Sequence, residues 1–314
     1  MPDRSHRRTA AIAAVSFATV VWGSVGVFVK STTLTGLSFA MYRLWLGVLV
    51  HLIALAVTRR RLPWSTFRAC APGGALFALD ISLGFTAVKL TTVANAAIIG
   101  ALSPILITLA AGRMFGERVG RREAALIALS FLGVAVVALG SSGQPAWSPV
   151  GDLLALLGTV SWTSYWLFSK RARASASALE YMTSVMIAAA LTVTPVALLV
   201  GGVPPAAPTP RDWVVLVAVA LLPGMTGHLL VAWSHRHVES WLSALITQCS
   251  PVISAAMAWS VLGEPLTPAV VAGGLVVVGS TGLVIVTTSR RERALARAAA
   301  VAEAEIEPVT ELPA

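Results

Sequence analysis

Apolar residues run along this chain in blocks of about twenty, and short polar or charged segments separate the blocks. Stretches such as Ala124–Gly140 are apolar on every face and show no alternation. A helix that crosses a bilayer needs about 20 apolar residues. Barrel strands would instead alternate apolar and polar positions. The pattern therefore predicts an all-α integral membrane protein. Its ten transmembrane helices fall at 11–29, 37–57, 69–88, 91–112, 122–140, 150–169, 179–200, 213–234, 240–262 and 268–288. Residues 1–10 and 289–314 are left as tails, and 141–149 as an external linker.

Composition narrows the class. Only 12% of the 314 residues are charged and 56% are hydrophobic, with a mean hydropathy of +0.80. Soluble domains carry about 25% charged residues. A soluble enzyme, a secreted disulfide scaffold and a disordered chain are excluded, and the ten spans leave no room for a folded domain outside the bilayer. The basic N-terminus ahead of an apolar stretch reads as an uncleaved first helix. The two cysteines, Cys70 and Cys249, have no metal-ligand spacing and read as packing residues.

The net charge of +9 would suggest nucleic acid on a soluble chain. Here it reports topology. With the N-terminus inside, 19 of the 23 Lys and Arg fall on the inner side; Lys30, Lys89 and Arg211 lie outside, and Arg43 lies within the second helix. The segments 141–149 and 263–267 have no Lys or Arg. Short cytoplasmic loops collect positive charge in this way. Both termini are expected in the cytoplasm of a cell whose plasma membrane holds the protein. The expected partners are the lipid bilayer and a small-molecule solute, with no nucleic acid and no cofactor, in a monomer or homodimer. Trp64, Trp147, Trp213 and Trp241 fall near helix ends, at headgroup depth.

The chain also repeats itself. Shifted by 140, Thr19, Val20, Trp22, Ser24, Phe28 and Lys30 meet Thr159, Val160, Trp162, Ser164, Phe168 and Lys170. Shifted by 147, Ser103-Pro104 meets Ser250-Pro251, and Gly116-Glu117 meets Gly263-Glu264. The repeats are 11–140 and 150–288. Each holds five helices, an odd number, so the second must enter the membrane from the opposite side. Inverted repeats enclose a midplane site in many secondary transporters.

The early Trp22-Gly23, Arg43 in the second helix, and Pro104 followed by Gly116-Glu117 resemble one EamA-type unit of the drug/metabolite transporter superfamily. Trp162, Pro251, Gly263 and Glu264 resemble a second unit. The resemblance implies ten helices in two inverted five-helix halves around a central cavity. It also implies export of amino acids, related metabolites or toxic compounds without ATP. The chain departs from the pattern where Thr163 follows Trp162, and where Tyr181 and Met182 stand opposite the Arg43 position.

Ionisable groups within apolar helices are costly and usually functional. Arg43 and Asp80 share a depth about 10–12 Å below the outer surface and are expected to pair or to receive the charged ends of a zwitterion. Asp80 and His228 are candidate proton carriers. Asn95 and Gln248 suit hydrogen bonding to a solute. Trp22, Trp162 and Tyr165 suit the walls of a site for an organic molecule. Pro104 and Pro251 remove backbone hydrogen bonds within predicted helices and are hinge candidates. Glu117 and Glu264, near helix ends, read as capping or loop-fixing carboxylates. Gly23, Gly26, Gly47, Gly133, Gly273 and Gly274 permit close helix contacts.

Two functions compete. One is a secondary transporter of a small metabolite, amino acid-like solute or drug, working outward by alternating access, with protons as a possible coupling ion. It is not an enzyme and has no phosphate-binding loop. The other is an integral-membrane enzyme on a lipid-linked substrate, which needs clustered acids or histidines near one interface. The acids here are scattered, and His235 and His237 read as loop residues.

Overall fold

The computed structural model describes residues 2–25, 28, 32–91, 93–142, 148–201, 207–263 and 266–306; some side chains within these ranges, Asn95 among them, are not described. Regular structure among the described residues is helical: α1 (Pro2–Gly23), α2 (Gly36–Val57), α3 (Trp64–Leu90), α4 (Val93–Gly100), α5 (Ser103–Phe115), α6 (Arg121–Ser142) and α7 (Pro149–Ala172) come first. Then follow α8 (Ala178–Gly201), α9 (Pro210–Val219), α10 (His228–Ser234), α11 (Ser240–Thr247), α12 (Ser250–Leu262) and α13 (Pro268–Ile306). A π-helical stretch, Ala220–Gly227, joins α9 to α10.

Among the described residues, seven stretches are long and apolar enough to cross a membrane. They are α2, α6 and α8, the pairs α4–α5 and α11–α12, the run from Pro210 to Ser234, and the first part of α13. The helices α1, α3 and α7 fall outside that set. α3 carries Arg68, Asp80 and Lys89, and α7 carries Asp152, Lys170 and Arg171. Their 27 and 24 residues still reach about 40 and 36 Å at about 1.5 Å per residue. α3 packs on both α7 and α8, and α1 on α10, α11 and α12. Helices packed on several others can carry polar groups on the packed faces, while Val20, Leu79 and Leu153 keep exposed apolar faces.

Helix ends follow from local chemistry. Gly116 and Gly263 take φ of 66° and 70°, the left-handed conformation that ends a helix at little cost only for glycine. This explains the Gly of both Gly-Glu motifs. Pro104 and Pro251 were expected to kink continuous helices. Instead each sits in the first turn of a new one, α5 and α12, after α4 and α11 have ended. A proline is tolerated there because its missing N–H has no intrahelical partner to lose. The last helix also differs from expectation. α13 runs on to Ile306, because its Ala-, Arg- and Glu-rich tail is made of strong helix formers.

The repeat is visible in the packing. A Cβ added to Gly133 would lie 3.0 Å from the Gly273 carbonyl and 2.8 Å from Val277, whereas one on Gly140 would meet Thr267 and Ala269, each at 3.0 Å. As α6 advances, its contacts on α13 move backwards, so the two are antiparallel. α2 and α8 behave alike: Trp45 Nε1 donates to Thr194 Oγ1 at 2.9 Å, while Gly47 faces Met186. Each pair joins an element to its own counterpart in the other repeat. Counterparts that run in opposite directions make the halves inverted. Other contacts exchange likewise, since α3 lies on α7 as the α9–α10 run lies on α1.

Candidate functional site

The broken helices meet at the interface of the halves. Gln248, 5% exposed, donates from Nε2 to the Ala101 carbonyl at 3.3 Å. These two positions are equivalent under the 147-residue shift, so the bond lies at the pseudo-twofold axis. Two cavities flank it. One, of 340 Å³, is lined by Asp80, Gly84, Gly100, Gly158, Thr159 and Trp162. The other, of 310 Å³, includes Trp22, Gly100, Pro104, Trp162, Gln248 and Pro251. Gly100 and Trp162 belong to both, so Trp162 stands between them.

Around Trp162 lies an aromatic cluster. Its ring centroid is 6.0 Å from Trp22, 5.4 Å from Tyr165 and 6.5 Å from His228. His228 lies 4.8 Å from Trp22 and 5.0 Å from Phe77. The π-helical stretch sets this up. Trp22 Nε1 donates to the Pro223 carbonyl at 3.1 Å, and a Cβ on Gly227 would meet Trp22 Nε1 at 2.7 Å. Only a glycine lets the indole lie against this turn. Single π turns inside α-helices are frequent at functional sites. The departure at Thr163 also has a contact, as its Oγ1 lies 3.4 Å from Ser103 Oγ.

Trp22, Trp162, Tyr165 and His228 thus come together. Asp80 faces the first cavity, and Gln248, Pro104 and Pro251 the second. Arg43 lies within electrostatic range of Asp80 and Tyr165, but among the described residues no ion pair within 4 Å joins it to Asp80. α2 packs on α8 and the π-helical stretch and has few contacts with α3, which holds the two charges apart. The Asn95 side chain lies outside the described residues, although its neighbours Ala96 and Ala97 line the cavities. Phe77 and the π turn were not foreseen. Pro223, Gly224 and Gly227 within one apolar run were the available signal for the turn.

On the basic side a polar network ties several helix ends together. Glu117 Oε1 accepts from Lys170 Nζ at 2.5 Å and from the Ser240 backbone N–H at 3.0 Å, and Oε2 accepts from Trp241 N–H at 3.4 Å. The carboxylate therefore caps the first turn of α11 while pairing with the last turn of α7. Both positions suit the helix dipoles. Lys170 also donates to the Val238 carbonyl at 3.2 Å, and Arg8 pairs with Glu239 at 3.0 Å. The ends of α5 and α7 and the starts of α1 and α11 are tied together here. The counterparts Lys30 and Glu264, like Gly26 and Trp147, lie outside the described residues.

Beside this network, His235 Nδ1 lies 3.0 Å from Ser169 Oγ, and its ring is 4.9 Å from that of Trp166. Burial pushes the His235 imidazole down to about 3, with Lys170 and Arg173 adding to the effect, so it is neutral at pH 7. The Arg173 guanidinium, only 2% exposed, donates to the carbonyls of Ala232 and Ala176.

The model of the EamA-like transporter family matches residues 9–139 and 149–286. A solved crystal structure of another protein is 21% identical, with a TM-score of 0.77, over 90% of this chain and 98% of that chain. That likeness is one of fold. A comparison with curated proteins returns no match. The two family matches fall on the two oppositely running halves and together cover most of the chain. It is a multi-pass membrane protein and belongs to the EamA-like transporter family.

Proposed function

We propose that this protein is a secondary transporter that exports a small organic solute by alternating access, through ten membrane spans with both termini cytoplasmic. α1, α3 and α7 complete the ten. The solute occupies the paired cavities beside Trp162. Asp80 and Arg43 offer one negative and one positive group that are not spent on each other, which suits a zwitterionic, amino acid-like solute or a charged drug. Trp22 and Trp162 supply apolar walls, with Tyr165 and Phe77 packed behind them, and Gln248 a hydrogen-bonding group at the axis. Asp80 or His228 carries the coupled proton. On this reading the basic, cytoplasmic face is shut by the Glu117–Lys170 seal and the site belongs to an outward-facing state.

The observation that supports the reading is the position of the cavities: they lie at the interface of two antiparallel halves, beside the Gln248–Ala101 bond, and the Glu117–Lys170 network ties the helices on the basic side. The test is solute uptake into proteoliposomes, with and without a pH gradient. A gradient should stimulate uptake of at least one solute in the parent, and Asp80→Asn should lower that stimulated rate at least tenfold. An unchanged rate and pH response in the variant would remove Asp80 from coupling.

A further inference from the structure

A third cavity lies on the basic face and holds no solute in the proposed transport. It measures 690 Å³ and is lined by Met114, Phe115, Lys170, Arg171, His235 and Arg236. Among the described residues no acidic side chain lines it. Its walls come from the end of α5, the last turn of α7 and the turn after α10. Two of the membrane-crossing stretches end here, at Phe115 and Ser234, which places the cavity at the depth of lipid headgroups. Met114 is half exposed, so the apolar wall reaches the outer surface.

The polar groups are unevenly committed. Arg236 is fixed by the carbonyls of Arg173, Ala174 and Ala176, and Lys170 by Glu117. The exposed Arg171 side chain has no hydrogen-bond or ion-pair partner among the described residues. His235 is 3% exposed, and its Nε2 is buried without a partner. Among the described residues, then, two fixed cations and one cation without a partner border a space that no acidic side chain lines, with the buried His235 ring in its wall.

We propose that this cavity binds the phosphate-bearing headgroup of an anionic phospholipid, with Arg171 as the principal contact and Lys170 and Arg236 as flanking charges. Basic pockets between helices on the cytoplasmic side suit such headgroups. The apolar wall that runs outward from the phosphate position suits an acyl chain and has no use for a free anion. The inference concerns binding alone and does not depend on the transport reading.

The full chain in detergent micelles, titrated with phosphatidylglycerol or phosphatidylcholine of matched acyl chains and read by native mass spectrometry, tests this. Phosphatidylglycerol should be retained in preference. Arg171→Glu should weaken its binding about tenfold, and Arg171→Lys, which keeps the charge, should preserve it. Arg122→Glu reverses an exposed charge of the same face outside the cavity and should leave binding unchanged. Equal retention of the two lipids would overturn the proposal. Equal loss in Arg122→Glu, or displacement of the lipid by millimolar inorganic phosphate, would overturn it too, the last in favour of a free-anion site.

Discussion

Single atoms decide much of the local arrangement around Trp22. A methyl group at Gly227 would sit 2.7 Å from Trp22 Nε1, too close to be absorbed without moving the ring. Gly227→Ala should therefore cost about 1–3 kcal/mol, read as a lowered thermal unfolding midpoint in detergent. Trp22→Ala added to it should recover part of the loss, since the clash is with that side chain. His235 gives a prediction in pH. Its folded value of about 3 lies below the ordinary value of about 6.5. The unfolded chain therefore binds a proton that the folded one refuses. The contribution is full above pH 6.5 and is lost as pH falls from 6.5 towards 3, at about 1.4 kcal/mol per unit. His235→Gln should flatten this part of the stability profile relative to the parent, and parallel profiles would contradict the assignment.

The Gly-Glu and Ser-Pro motifs were readable as repeats in the chain, and the positions of the apolar blocks were readable as helices. The breaks between α4 and α5 and between α11 and α12 were not, because apolar periodicity continues across them and a proline in the first turn of a helix looks, in sequence, like one in its middle. The π turn was hidden for the same reason. The cluster of Trp22, Trp162, Tyr165 and His228 was named residue by residue, but Phe77 was indistinguishable from core until its neighbours were known. Arg43 and Asp80 are in electrostatic range but form no ion pair within 4 Å among the described residues, because their two helices touch only sparsely. Glu117 shows what element ends contribute. It holds Lys170 and also caps α11. Glu117→Gln should weaken the seal and raise the labelling, from the basic face, of a cysteine placed at the cavity-lining Gly100 about tenfold or more. Exchanging the charges, Glu117→Lys with Lys170→Glu, should restore the attraction but leave the N–H groups of Ser240 and Trp241 without their carboxylate. Rescue should therefore be partial.

At the scale of the molecule, the proposed transport rests on two halves that can trade roles. α6 against α13 and α2 against α8 are contacts of an element with its own counterpart, made close by Gly133, Gly273 and Gly47. In the proposed cycle they would serve as pivots that look alike from either half. The cavity helices α1, α3, α4–α5, α7, the α9–α10 run and α11–α12 surround the axis. Similar halves in opposite orientation give inward-open and outward-open arrangements of similar energy, so a solute of modest differential affinity can shift between them. Gly100 lines both cavities, and a Cβ placed on it meets nothing within 4 Å. The most direct measurement is the reactivity of Gly100→Cys, with Cys70 and Cys249 replaced by Ala and Ser, towards a membrane-impermeant thiol reagent added to either side of oriented vesicles. The account predicts modification from both sides, with the rate from the basic side rising when Glu117→Gln is added. Modification from one side alone, whatever the state of Glu117, would contradict it.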